Sequence, residues 1–499
     1  MKWKNKEQII YGIIVFILVI AGISLILFEN SKFGAGITPD SISYIREANG
    51  ILNHERIEYL YWAPLYPILL AAINSIVKIG MQQTILFINV VSFALLMIIV
   101  GFLCWKKIPS SIFVKIFCVF LLFFCLLFLP IYQFALTEPI FILLGTLYLF
   151  VFDYYITENK IRYVILTAII MAISCMVRYA GVIFVLVGIV NLFIFTYKKG
   201  LYLIKVIGLF SGISLAPLAL WLLRNKYLFG SFTGSRPDSA FSYRENIESL
   251  IQHLYGWYIP EPKEYPVILL FITIVLVIGV YTYFKRQYKS NWKQSWVWMY
   301  VNYIAIYMVL LIPLSSSAFW QLLDDRYLSP LVIPINILLV NFIYEFAQLW
   351  NFRSKRFNFG IVIVCLFLLN LIPAKRMIYA ILWQYEAGIG YTSNIWMDSE
   401  TINYLKIHDL HCDIYSNGPD AIYFYKGLEV EGVPNFQLGA PDFDDIEQNL
   451  DEWTAKTNKC IVWFNTIERD YLYDINELVA YDSVKSIVLL GDGKIYVFD

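Results

Sequence analysis

Four charged side chains border apolar stretches of this chain, where ionised groups are costly. They are Asp40 in GITPDSISYIREANGIL, Glu138 in ALTEPIF, Arg178 in MVRYAG and Arg326 in LLDDRYLSP. Glu47, Arg224 in WLLRNKYLFGS, and Asp324 and Asp325 beside Arg326 belong to the same set. An ionised side chain costs about 2.5 to 3.5 kcal/mol at the centre of a membrane helix and less near its ends, so such residues are paired, wet or functional. A carboxylate can take a proton and an arginine fork can hold an anion, so the residue types suit proton transfer beside an anion site. Each residue also has a plainer reading. Arg224 and Lys226 can snorkel from a helix end. Asp40, after Thr38 and Pro39, can simply start a helix, where open backbone N–H groups and the helix dipole favour a carboxylate. Along that helix Asp40, Ser43, Tyr44 and Glu47 share one face and Ile42, Ile45, Ala48 and Leu52 the other, the pattern of a surface-lying amphipathic helix.

The elements that must position these residues are mostly apolar. Of 499 residues, 59% are hydrophobic, 18% aromatic and only 15% charged, against about 25% charged in soluble domains, so the chain is an integral membrane protein. With 38 basic and 38 acidic residues it has no net charge to attract nucleic acid. Ile9 to Phe28 is long enough to span and has no small-residue cleavage site, so it is expected to stay as an anchored first helix. Ten further runs follow, at 83–104, 112–130, 139–156, 162–178, 181–197, 203–223, 266–284, 296–314, 327–349 and 359–380. Pro64 to Gly80 is ambiguous, being short and interrupted by Pro67, Asn74 and Ser75.

The positive-inside rule decides that segment, because one more crossing would exchange the side of every later loop. If it does not cross, the cytoplasmic set holds Lys2, Lys4 and Lys6; Lys106 and Lys107; Lys160 and Arg162; Lys198 and Lys199; Lys285, Arg286, Lys289 and Lys293; and Arg353, Lys355 and Arg356. If it crosses, all but the first of these clusters move outside. The expectation is therefore about eleven spans, an inside N-terminus and an extracytoplasmic C-terminus, with 64–80 lying in an outer loop 29–82 as an interfacial or re-entrant helix. Residues 1–383 form the transmembrane part and 384–499 a small α/β domain. In that domain CDIYSNGPDAIYFYKG reads as strand, turn and helix, KCIVWFN as a buried strand, and SIVLLGDGKIYVF as a hairpin. SNGPD and GDG fit ordinary turn chemistry better than phosphate loops.

Among seven cysteines, five lie in apolar runs as small core hydrophobes, while Cys412 and Cys460 could pair if their domain is extracytoplasmic. His408 and His411 have the HDLH spacing of a surface pair rather than a metal site.

Taken in order, TPDSISYIREANGIL, WAPLYPILLAAI, the acidic TEP, RYAG, RN followed by FGS, and DDRYLSPLVIP resemble the C-type glycosyltransferase superfamily, and within it the protein mannosyltransferase and aminoarabinose transferase group, over roughly residues 1 to 350. The resemblance implies a polytopic α-helical fold and an inverting transfer of sugar from a polyprenyl monophosphate carrier to a protein, lipid or glycan acceptor outside the plasma membrane. It makes Asp40 and Glu138 the catalytic residues, and Tyr44, Arg178, Arg224, Asp325, Arg326 and Tyr327 the substrate-binding ones. The lipid-linked donor is then the only cofactor-like group required, and a divalent metal stays open. Two departures matter: Ser41 follows Asp40 where many relatives have Asp-Glu, and Trp62-Ala63 replaces a lysine before a Pro-Pro pair, which disfavours lipid A as acceptor.

In such a transfer one carboxylate deprotonates the acceptor hydroxyl as it attacks the anomeric carbon, and cations stabilise the leaving phosphate. The rival readings are a transporter or flippase of lipid-linked saccharides, a polymerase of them, and a non-enzymatic assembly protein. Charges gathered at one membrane face, with no repeated halves, favour the enzyme over the transporter. The sugar, the acceptor, the oligomeric state and the role of the C-terminal domain stay open.

Overall fold

The computed structural model describes residues 2–55, 57, 61–108, 111–196, 199–234, 239, 241–259, 296–318, 322–349, 355–434, 453, 457–469, 472–480 and 483–498. Ten of the eleven expected spans are helices: α1 (Lys2–Glu29), α4 (Met81–Lys107), α5 (Ile112–Phe128), α6 (Glu138–Glu158), α7 (Ile161–Val177), α8 (Gly181–Phe195), α9 (Leu201–Phe229), α11 (Trp296–Ala318), α13 (Val332–Leu349) and α14 (Lys355–Ala387). The expected span at 266–284 and its basic flank lie outside the described residues. Among the described residues seven helical stretches are long and apolar enough to cross a membrane, so the chain is a multi-pass membrane protein.

Between the first two long helices lie α2 (Pro39–Leu52) and α3 (Leu65–Val77). Helix α3 has 13 residues, about 20 Å at 1.5 Å per residue, against a hydrocarbon core of about 30 Å. It is shorter than each of the ten helices at the expected spans. Helix α10 (Tyr243–Gly256), opened by a reciprocal cap between Ser242 and Glu245, escaped the sequence reading. The S-x-x-E signature was there to be read.

A single apolar core runs through the helix bundle. Buried Asp153 near the end of α6 binds both Lys106, at 2.7 Å, and Lys107 at the end of α4, so two of the basic residues read as a loop cluster are fixed to a helix end. Asp153 lies 15 residues, or about 22 Å, along α6 from Glu138, which places these lysines toward the opposite end of the helix.

After α14 come two short helices, α15 (Asn394–Met397) and α16 (Glu400–Ile407), and a five-stranded sheet. Its strands are β1 (Asp413–Ser416), β2 (Glu431–Gly432), β3 (Lys459–Phe464), β4 (Val484–Leu490) and β5 (Gly493–Phe498), in the order β2-β1-β3-β5-β4. Strand β1 is parallel to β2 and β3, and β3-β5-β4 is antiparallel. Helix α17 (Pro419–Lys426) follows β1, and α18 (Ile475–Ala480) precedes β4. The Gly-Asp-Gly turn joins β4 to β5, and its Asp492 accepts from Ser399 and from the Thr401 N–H at 2.9 Å, fixing the start of α16. That carboxylate is a structural acceptor, held below the usual range because these hydrogen bonds outweigh the effect of burial.

Cys412 and Cys460 form a disulfide between the entry to β1 and β3. Four of the other five cysteines are buried; Cys365 faces outward from α14 and is not a core residue. The bridge closes a loop with a sequence separation of 48, worth about 4 kcal/mol by the chain-entropy relation. A Cys412→Ser/Cys460→Ser protein should therefore lose protease resistance in its C-terminal sheet while the helix bundle stays folded. Equal resistance of this variant and the wild type under non-reducing conditions would contradict the pairing.

Candidate active site

Helix α2 begins by local chemistry. Thr38 is the N-cap, its hydroxyl accepting from the Ser41 N–H at 3.2 Å while the Ser41 hydroxyl accepts from the Thr38 N–H at 3.0 Å. Pro39 occupies the first helical position, and Asp40 therefore sits in the first turn without being the cap. The segment before it is clamped. Gly36 bridges Phe134, with the Gly36 N–H donating to the Gln133 carbonyl at 2.8 Å and the Ala135 N–H donating to the Gly36 carbonyl at 3.0 Å. The Ser41 hydroxyl donates to the Ala135 carbonyl at 2.9 Å, and the Asn89 side chain donates to the Tyr132 and Phe134 carbonyls at 2.9 and 3.0 Å. The Asp40 turn and the loop leading to Glu138 are thus one hydrogen-bonded unit.

That unit brings four of the sequence-predicted residues together. Arg326 donates from Nη2 to Asp40 Oδ2 at 2.5 Å and from Nε to Glu138 Oε1. Arg178 pairs with the same Glu138 oxygen, donates to the Thr137 hydroxyl at 3.0 Å and lies over the Phe141 ring. Two guanidiniums and two carboxylates therefore balance. Glu138 is 2% exposed and Asp40 23%, so one carboxylate is sealed between arginines and the other reaches the surface. Among the described residues Asp40 Oδ1 has no hydrogen-bond partner.

Arg326 is placed by α12 (Asp325–Leu328), whose cap Asp324 accepts from the Arg326 and Tyr327 N–H groups at 2.9 and 3.3 Å. The Tyr307 hydroxyl donates to the Tyr327 carbonyl at 3.0 Å. A narrow cleft opens beside the ion cluster, lined by Glu138, Arg178 and Arg326 on one side and by Phe141, Ile183, Tyr307, Leu311, Leu314 and Tyr327 on the other. A polar end with an apolar wall suits a charged head on an apolar tail. Sequence reasoning missed Tyr307 and Thr137: an aromatic in an apolar run carries no signal, whereas the Thr beside Glu138 could have been noticed.

Three expected substrate-binding residues are engaged by other partners. Tyr44 does not lie on the open face of α2; it is buried edge-on against Trp62 and Tyr66, because a large ring is worth more inside than facing water. Burial first, and then the Asp40 carboxylate, raises its phenol, so it stays protonated beside the cluster. Asp325 turns away from Arg326 to accept from Trp257 at 2.8 Å and to meet His253 Nδ1 at 3.1 Å, both near the end of α10. The hydrogen bond to Asp325 raises the His253 pKa. Arg224 donates to the Ile57 carbonyl at 2.5 Å and packs over Trp221, which makes it a clasp on the loop between α2 and α3. Among the described residues no three His, Cys, Asp or Glu side chains converge on a metal position.

No family model matches the sequence, and no curated protein matches it either. Solved structures do. ArnT from Cupriavidus metallidurans bound to undecaprenyl phosphate superposes with a TM-score of 0.55 at 11% identity, covering 97% of each chain. The fold is that of the C-type glycosyltransferases. The apo form of the same ArnT gives a TM-score of 0.53 at 11% identity, again over 97% of each chain. The apo oligosaccharyltransferase of Archaeoglobus fulgidus gives 0.55 at 12% identity over 98% of this chain and 74% of that one. In the C-type frame the ion cluster joins the α2 turn, the start of α6, the α7–α8 junction and α12, four places far apart in sequence.

Proposed function

We propose that this chain is an inverting glycosyltransferase that moves a sugar from a polyprenyl-phosphate carrier to an extracytoplasmic acceptor. The observation that carries this reading is the Asp40–Arg326–Glu138–Arg178 cluster, with its single partly exposed carboxylate. Asp40 is the base: paired with Arg326, it takes the proton of the acceptor hydroxyl as that oxygen attacks the anomeric carbon. Arg326 and Arg178 receive the phosphate leaving group, whose charge grows as the glycosidic bond breaks; a planar fork provides paired donors for its oxygens. Glu138, sealed from solvent, meets no acceptor. It holds the two guanidiniums side by side against their mutual repulsion.

That an ArnT with this fold binds undecaprenyl phosphate supports the carrier class. The oligosaccharyltransferase with a tethered acceptor peptide shows the fold serving a peptide acceptor, and the same protein binds Zn and sulfate. For this chain the carboxylate–arginine set suits an anion, and the carboxylates are neutralised by arginine rather than left for a cation. Sidedness follows from charge: Lys106, Lys107, Lys160 and Arg162 sit at the far end of α6 from Glu138, so positive-inside orientation puts the cluster outside. The Cys412–Cys460 bridge fits the same oxidising side.

Mass spectrometry of cells with and without the gene tests the reading. Deletion should cause a polyprenyl-phosphate sugar to accumulate and one surface glycan or glycopeptide to disappear, and the intact gene should reverse both. Identical lipid-linked sugars and surface glycans in the two strains would overturn it.

A further inference from the structure

The segment that enters α2 is held on two sides. On one side it bridges Phe134, as described; on the other Ile37 bridges Gly390, with the Tyr391 N–H donating to the Ile37 carbonyl at 2.9 Å. Gly390 belongs to the strap between α14 and the C-terminal sheet. The strap is tied to that unit as well. The Tyr391 hydroxyl donates to Asp420 at the start of α17, Arg469 pairs with the same carboxylate at 2.9 Å, and the Tyr425 hydroxyl donates to the Tyr391 carbonyl at 2.5 Å. Thr392 reaches back to the Ala35 carbonyl at 3.3 Å. Farther along α2, Arg46 lies 4.4 Å from the Tyr423 ring and 3.6 Å from Glu429.

Two glycines make the close approach possible. At Gly390, φ is +57° and an added Cβ would lie 2.3 Å from the Ile37 carbonyl oxygen; at Gly36 it would lie 2.6 Å from Ile389 and Phe134. Neither site admits a side chain without pushing the strands apart.

We propose that the Gly390–Thr392 strap is a positioning element for Asp40, through which the C-terminal α/β unit sets where the carboxylate stands relative to Arg326. This rests on the proposed transferase function for its catalytic consequence, but not for its structural one. Asp40 lies three residues from the bridge at Ile37, in the first turn of a capped helix, so displacement of Ile37 carries Asp40 with it. Arg178 and Arg326 stand on other elements and keep their places, whereas Glu138 follows the loop bound to Gly36 and Ser41. The unit therefore governs the proton-transfer half of the site and leaves the phosphate half alone.

The test compares Gly390→Ala with Gly427→Ala in the full-length protein. Gly427 has φ +67° with open space around it, so that variant strains the same α/β unit without touching α2. Gly390→Ala should speed amide exchange at residues 36–42 by about 10-fold or more, while Gly427→Ala leaves those amides unchanged. Undecaprenyl phosphate binding should stay within about 2-fold of wild type in both, and glycan product formation in cells should fall about 10-fold or more only in Gly390→Ala, since misplacement by about 1 Å can cost on the order of 10²-fold. If Gly390→Ala does not fold, Tyr391→Phe, which removes the anchor to Asp420, should give the same pattern at about 3-fold. Unchanged exchange at 36–42 in the folded strap variant, or equal effects in the Gly427 control, overturns the positioning role. A wild-type protein that binds no undecaprenyl phosphate and makes no product overturns the transferase reading, and the exchange comparison then decides the strap by itself.

Discussion

Asp40→Asn should leave the protein folded and inserted while lowering sugar transfer by about 10² to 10⁴-fold, the range a positioned general base contributes. The substitution keeps the shape of the side chain and removes its charge and basicity. Its cost in stability is bounded because the cap of α2 is Thr38 with Ser41, not Asp40. What Asp40 gives the helix is a favourable charge in the first turn, about 0.3 to 1 kcal/mol. Its bond to Arg326 is replaced by a weaker one from the amide oxygen, so the guanidinium stays partnered by Glu138. A loss of turnover larger than 10²-fold corresponds to about 2.7 kcal/mol or more in the barrier, well above what the cap and the dipole can explain. The loss should fall on kcat, with the carrier's apparent affinity nearly unchanged, because in the proposed function the arginines are what bind the phosphate. Near wild-type turnover of Asp40→Asn in membranes supplied with polyprenyl-phosphate sugars would remove Asp40 from the chemistry. Asp40 is therefore not the cap of α2: Thr38 with Ser41 fills that place, and the carboxylate is free of that task.

Much of the scaffold was legible because it depends on short-range rules. Apolar runs of about 20 residues mark spans, and alternation with turn residues marked the β4–β5 hairpin, since both patterns need only local geometry. The expectation that the short α3 does not cross rests on charges over the whole chain rather than on its own sequence. The site was legible as residue types but not as partners. Asp40 and Arg326 are separated by 286 positions, and only the packing of four elements brings them within 2.5 Å. Periodicity placed Tyr44 with Asp40 on the polar face because it knows the angle around the helix but not what packs there; Trp62 and Tyr66 claim the ring. Asp325 looked equivalent to Arg326 from its position in DDRYLSP, yet one turns to the cluster and the other to α10, a choice made by the tight turn and by His253 and Trp257.

The second large effect concerns Arg326, the only residue of the cluster that touches both carboxylates. Arg326→Ala would leave Glu138 buried with one counter-charge and Asp40 with none, a change that costs about 3 to 5 kcal/mol in buried ion networks and threatens the fold itself. Arg326→Lys separates charge from geometry. An ammonium is a point charge on a flexible stem and cannot direct Nε to one carboxylate and Nη2 to the other, so it keeps one bridge and loses its partner. Because the sealed Glu138 is costlier to leave uncompensated, the lysine should stay with Glu138, and Asp40 should be released. Stability then falls by about 1 to 3 kcal/mol, the cost of one lost charge-assisted bond, read as a lower unfolding temperature in detergent. Undecaprenyl phosphate affinity should drop by about 10-fold or more, since the paired donors for the phosphate go with the fork. Turnover should fall further than affinity, because the base is no longer held in place and the leaving group is less well stabilised, two losses in the same transition state. A variant that binds the lipid phosphate like wild type would move the anion site away from Arg326 and leave Arg178 as its remaining cation in the cleft. Glu138→Gln makes the complementary case: the two guanidiniums lose the charge between them, so their repulsion is relieved only when an anion arrives. The protein should therefore be less stable alone and gain more stability than wild type on adding undecaprenyl phosphate, a difference that a thermal-shift titration reads directly.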